Sequence, residues 1–92
     1  MKTYLICYDL NKEGQNYQKL IEEIKAITDI YWHHLDSTWI IRSEANAKTI
    51  CNQLKKYMDS NDELLVSEIT KSSCDWTGFN KRGTDWLEKY IK

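Results

Sequence analysis

Ninety-two residues, 41% of them hydrophobic and 29% charged, make one globular domain and exclude intrinsic disorder. A net charge of −1 lacks the basic excess of a protein held on nucleic acid by bulk electrostatics, so phosphate contacts must come from local clusters. Cys7, Cys51 and Cys74 are odd in number and have no C-x-x-C spacing, which excludes a disulfide framework and a cysteine zinc site and reads as reduced thiols. No signal peptide precedes the first strand, and no apolar run approaches the ~20 residues that span a bilayer. The expectation is a cytoplasmic protein with no membrane association. A chain of this size buries only somewhat over ~60% of its unfolded surface, so the core is thin and a homodimer would reinforce it.

In chain order, residues 3–10 ("TYLICYDL") are nearly continuous in apolar and β-favouring side chains, the pattern of a central strand covered on both faces. Residues 11–16 ("NKEGQN") break it. Tyr17, Leu20, Ile21, Ile24 and Ile27 follow at helical spacing, with Asn16 as the expected cap. Residues 30–35 ("IYWHHL") form a strand with mixed faces, 36–38 ("DST") a tight turn, and 38–42 ("TWIIR") a second strongly apolar strand. Ser43 is the expected cap of a helix whose stripe is Ala47, Ile50, Cys51, Leu54 and Met58. Residues 63–70 ("ELLVSEIT") form a fourth strand and 71–83 an irregular tail. A short last helix begins at Thr84 or Asp85 and carries Trp86, Leu87, Tyr90 and Ile91.

The order β-α-β-β-α-β, followed by a tail and a helix, predicts an α/β (α+β) fold, the ferredoxin-like split βαβ sandwich, as one domain over 1–92. Its core is 1–70, and 71–92 supply the tail and last helix. Right-handed crossovers give the strand order 4-1-3-2. Two helices cover one face of the sheet. The other needs Trp76 and Phe79 of the tail, the last helix, or a second copy of the chain.

This topology places the carboxyl end of the first strand beside the 36–38 turn and the entrance to the fourth strand. Asp9, Asn11, His34, Asp36, Ser37, Asp62 and Glu63 gather at that edge, and oxygen ligands of this kind suit Mg²⁺ or Mn²⁺. Asp36, Asp62 and Glu63 also serve as ordinary turn and cap residues. Asp9 ends an apolar central strand, where a carboxylate is costly unless something pairs with it. It is therefore the candidate metal ligand and catalytic group, with Tyr8 and Asn11 flanking it in the candidate binding set. His33 and His34 point to opposite faces of their strand, so one of them, taken as His34, is placed to reach the acidic edge as acid or base. A hydrogen-bonded, partly buried histidine is the other reading.

Trp32, His34 and Tyr4 could form an open aromatic face for unpaired bases. Trp32, His34 and Trp39 of the hairpin could equally line a pocket for a nucleotide or another small ligand. Core packing is the alternative for every one of these rings. Lys81, Arg82 and Gly83 before the last helix could cradle a phosphate. Lys48, Asn52 and Lys55 share a face of the second helix and read as solvated surface.

With "YLICYDL" opening a β-α-β-β-α-β chain, the sequence resembles the small CRISPR-associated endonuclease-like family, the dimeric partner of the spacer integrase. The resemblance covers residues 1 to about 70, and its motif is Tyr8-Asp9-Leu10. It implies a ferredoxin-like homodimer joined through the sheet, with tail strands that can cross to the partner. It further implies that Asp9 takes part in metal-dependent phosphodiester cleavage. The chain is also similar to short bacterial and phage proteins labelled SinR-like. Two functions are expected: a nucleic-acid-associated protein, with or without nuclease activity, or a non-catalytic module that binds a nucleotide or a partner protein.

Overall fold

The computed structural model describes residues 1–11, 17–71 and 73–91. Its strands are β1 (Lys2–Asp9), β2 (Tyr31–Leu35), β3 (Thr38–Ser43) and β4 (Glu63–Glu68). Its helices are α1 (Gln18–Ile27), α2 (Ala47–Lys55) and α3 (Lys81–Tyr90). The strands form a single antiparallel sheet in the order β2-β3-β1-β4, with β1 and β3 in the centre. These are the two most continuously apolar stretches of the chain, as strands covered on both faces must be.

One face carries Tyr4, Ile6 and Tyr8 of β1 with Trp39 and Ile41 of β3. It packs on Leu20 and Ile24 of α1 and on Ile50 and Leu54 of α2. The opposite face carries Trp32 and Ile40, closed by Leu87 and Ile91 of α3, with Cys74, Trp76 and Phe79 of the tail packed around them. The tail and last helix thus supply the second cover that the sequence demanded. The cover is incomplete. On that same face Leu35 is 48% exposed, at the edge of an apolar groove it shares with the tail and Leu87, and Leu65 is 57% exposed.

Three local expectations are corrected. The cap of α2 is Asn46, whose side chain accepts from the Thr49 amide at 2.8 Å. Ser43 stays in β3, and its hydroxyl accepts from the Ala45 amide at 3.1 Å. The last helix begins at Lys81 rather than at Thr84 or Asp85, because Asn80 caps it through the Gly83 amide at 2.9 Å. β4 ends at Glu68 rather than 70, although the Ile69 amide still reaches the Thr3 carbonyl at 2.8 Å. Asn16, the expected cap of α1, lies outside the described residues, as does most of the 11–16 break.

The register of β2 against β3 contains a bulge. Trp32 pairs with Ile40 and Leu35 with Thr38, so three steps on β2 match two on β3. A bulge of this kind bends the strand and re-aims a side chain. Here it returns Leu35 to the face of Trp32, where strict alternation would have put it with Tyr31.

Candidate functional site

Among the described residues, two concave regions hold charged side chains nominated from the sequence. The first is a cleft of about 440 Å³ at the rim where β1 ends, lined by Cys7, Asp9, Ser37, Thr38, Glu63 and Leu65 among others. The Tyr8 amide donates to the Ser37 carbonyl at 3.1 Å, which ties the strand end to the turn. Asp9 stands directly opposite Glu63 on β4, and both are exposed. Among the described residues no lysine or arginine forms an ion pair with Asp9. Exposure removes the desolvation argument made for this residue, since a carboxylate in water carries no burial cost. What remains is two like charges facing each other across a strand pair, a mildly destabilising arrangement.

The neighbours of that pair are structural. Asp62 accepts from the amides of Asn11 at 2.7 Å and Asp59 at 2.8 Å, and from the Tyr17 hydroxyl at 2.9 Å. Asn11 donates through its side chain to the Asn61 carbonyl at 2.8 Å and approaches Glu63 Oε1 at 3.4 Å. Tyr8 is buried, and its hydroxyl accepts from Trp39 Nε1 at 3.0 Å. Asn11 and Tyr8 therefore hold the rim in place rather than project from it. Among the described residues, no group of three or more His, Cys, Asp or Glu side chains is placed to hold a metal ion. The rim thus does not amount to a site made by protein alone. Its two facing carboxylates do match the smaller demand of Mg²⁺, which takes one or two carboxylates and completes its shell with water and substrate phosphates.

The second region is a groove of about 430 Å³ between β2 and α3. It gathers three residues nominated for different reasons, Trp32, His34 and Arg82, beside Asp29, Trp86 and Tyr90. Trp32 Nε1 donates to the Gly83 carbonyl at 3.1 Å, pinning the helix to the strand. The His34 ring lies over Gly83 so closely that a Cβ there would sit 3.3 Å from it, and a side chain at this position would require the ring to shift. His34 is thereby directed to α3 and lines this groove, and the expected pairing with the acidic edge is not made. His33 takes the other face, stacked on Trp39 at 3.7 Å, with Nε2–H donating to the Asp36 carbonyl at 3.1 Å.

The aromatic surfaces expected from the hairpin are likewise redistributed. Trp39 is fully buried in the core under α1 and α2, while Trp32, 3% exposed, lies in the core under α3. The two indoles are on opposite sides of the sheet and cannot wall one pocket. Tyr4 is buried on the side of Trp39, its hydroxyl donating to the Ala45 carbonyl at 2.7 Å, so no open face joins it to Trp32 and His34. The phosphate cradle is also altered. Lys81, Arg82 and Gly83 are the first turn of α3, the Gly83 amide is taken by Asn80, and Lys81 pairs with Asp85 at 2.6 Å. The hydrogen bond and charge of Asp85 raise the Lys81 ammonium above its ordinary value. Arg82 alone of that trio remains available.

Sequence reasoning missed Asp29, Trp86, Lys89 and Tyr90 as groove residues. The spacing 82, 86, 89 puts one stripe on a helix, but a helix starting at Thr84 or Asp85 leaves Arg82 off it. No protein-family model matches this chain, and no solved structure matches it. Among the described residues no helix is long and apolar enough to cross a membrane.

Proposed function

We propose that this chain is a cytoplasmic, nucleic-acid-associated protein with a ferredoxin-like split βαβ core, of the kind that the small CRISPR-associated endonuclease-like family represents. We propose further that it works as a homodimer, with the Asp9 rim as its phosphodiester site. The strand order, read from the β4 edge as 4-1-3-2, supports the architecture. The observation that carries the functional reading is the exposed, directly opposed pair Asp9 and Glu63, beside the hydroxyl-bearing turn at Ser37 and Thr38. Opposed carboxylates cost stability, and among the described residues no cation pairs with either of them, which supports a role outside the chain. In this reading Asp9 and Glu63 hold Mg²⁺ or Mn²⁺. When bound, such an ion neutralises phosphate charge and supplies an activated water. Tyr8 and Asn11 fix the rim, and His34 takes no part. The half of the sheet left open by the tail, with Leu35 and Leu65 exposed, is the surface a second copy would cover.

Labelled RNA and DNA are the substrates for the test. Mg²⁺-dependent cleavage by the wild type, lost in Asp9→Asn and Glu63→Gln, is the expected result. Millimolar Mg²⁺ is also expected to raise the melting temperature of the wild type but not of Asp9→Asn. In metal-free buffer Asp9→Asn is expected to be more stable by about 0.5 kcal/mol, through relief of the opposed charges. Cleavage that survives in Asp9→Asn removes this residue from the chemistry. The dimer is checked by sedimentation: Leu65→Glu is expected to shift the protein to monomer, and an unchanged sedimentation coefficient would discard that face as the interface.

A further inference from the structure

The groove between β2 and α3 lies apart from the rim, and the proposed phosphodiester chemistry does not use it. Its polarity along the helix follows from its contacts. The His34 ring sits against Gly83, which places His34 and Arg82 at the amino end of α3. The Arg42 amide donates to the Ile30 carbonyl at 3.0 Å, and the Arg42 guanidinium lies over the Tyr90 ring at 5.1 Å. These contacts put Asp29 and Ile30 at the carboxyl end. Between the two ends stands Trp86, half-buried, with Tyr90 tilted against it at 4.7 Å. The groove thus has Arg82 at its amino end, where Asp85 is already held by Lys81, and Asp29 at its carboxyl end, with Lys89 also in the lining and the half-buried indole of Trp86 between them. Among the described residues neither Arg82 nor Asp29 forms an ion pair. Lys89 caps the aromatic floor, its ammonium 5.1 Å from the Tyr90 ring centre.

We infer that this groove is a binding site for a mononucleotide, with a preference for guanine. An arginine guanidinium takes phosphate bidentately, which few other side chains do. An exposed indole face stacks any base and is strengthened by neighbouring cations. A carboxylate accepts only, so the base at its end must present N–H donors. The Watson–Crick edge of guanine offers two adjacent donors, whereas that of adenine presents a ring acceptor beside its amino group. Arg82 and Trp86 are one turn apart, and the stripe from Arg82 to Lys89 spans ~10.5 Å at the helical rise per residue, enough for a phosphate, a sugar and a base in line. The volume, about 430 Å³, lies within the range of small-ligand sites. His34 lines the same end of the groove as Arg82.

The probes are GMP, AMP, guanosine and inorganic phosphate, titrated into the full chain by calorimetry and by NMR of the indole N–H signals, with Trp86→Phe used to assign that of Trp86. GMP is expected to shift the Trp86 signal and to bind more tightly than AMP. Arg82→Ala should weaken GMP on the order of tenfold while leaving guanosine unchanged. Asp29→Asn should erase the preference for GMP over AMP. Arg82→Ala and Asp29→Asn should keep the wild-type melting temperature, since both side chains are exposed. Asp9→Asn should bind GMP as the wild type does, which separates failure of this site from failure of the rim. Absence of any Trp86 shift at millimolar GMP, or an Arg82→Ala variant with wild-type GMP affinity, overturns the assignment. So does inorganic phosphate binding as tightly as GMP.

Discussion

Replacing Trp39 by alanine is expected to remove about 4 kcal/mol of stability, a loss typical of a buried tryptophan truncated to a methyl group. Trp39 is fully buried near the start of a central strand. Tyr31 tilts against it at 5.4 Å, His33 stacks on it at 3.7 Å, and its Nε1–H donates to Tyr8 at 3.0 Å. Truncation opens a cavity beneath β2, strips the stacking partner from His33 and leaves the Tyr8 hydroxyl without its donor. A domain of this length has a total stability of roughly 5–14 kcal/mol, so the variant loses a large part of it. In urea the midpoint should fall by about 3 M for a slope near 1.3 kcal/mol/M. Trp39→Phe should cost roughly half as much, since the ring stays and only the indole N–H and some volume go. His33→Ala, which removes the partly exposed stacking ring and its hydrogen bond to the Asp36 carbonyl, should cost about 1 kcal/mol. A Trp39→Ala midpoint within 0.5 M of the wild type would show that the hairpin is not anchored through this side chain.

The same hairpin shows where sequence reading succeeds and where it stops. β1 and β3 were legible because apolar residues run through them without interruption, and the topology follows once both are central. The opposed faces of His33 and His34 were legible from the two-residue period of a strand. The bulge was not. The pair of histidines has no hydrophobic alternation to disturb, so one extra residue leaves no trace in the pattern. Yet that residue decides that Leu35 is exposed on the face of α3. The start of α3 was hidden for a different reason. Its first turn holds Lys81, Arg82 and Gly83, cations and a poor helix former where the helix dipole prefers acids. The Asn80 cap and the contact of Gly83 with His34 outweigh that preference. Both are tertiary or local hydrogen-bonding facts that composition does not record.

For the sites, types of residue were legible and their company was not. Trp32, His34 and Arg82 were each nominated, but to different places, and the fold brings them into one groove. The last helix carries two stripes one residue apart. Leu87 and Ile91 are buried against the sheet, while Trp86 and Tyr90 stay half-exposed. Read as a single apolar set, these four residues conceal the fact that one pair packs the core and the other floors a groove.

Asp62 decides between the structural and ligand readings of the acidic edge, and its removal is the second large effect. Its carboxylate satisfies the amides of Asn11 and Asp59 and the hydroxyl of Tyr17, so it joins the end of β1, the start of α1 and the turn before β4. Hydrogen bonds to a charged acceptor contribute about 1.5–3 kcal/mol each when taken singly, and losing several from one half-buried carboxylate is far from additive because water replaces part of them. Asp62→Ala is therefore expected to cost about 3 kcal/mol. Asp62→Asn keeps one acceptor oxygen and loses the charge, and should cost about 1 kcal/mol. Tyr17→Phe removes a single partner at a similar cost, and the double variant with Asp62→Ala should lose less than the sum of the two single losses, because both delete the same contact. These differences should be the same in EDTA and in millimolar Mg²⁺, measured by urea melts followed by circular dichroism. A destabilisation by Asp62→Ala that appears only with Mg²⁺ present would instead make Asp62 a ligand of the ion. The rim would then be a three-carboxylate site rather than an opposed pair held in place by an uncharged asparagine, a buried tyrosine and an aspartate committed to the backbone.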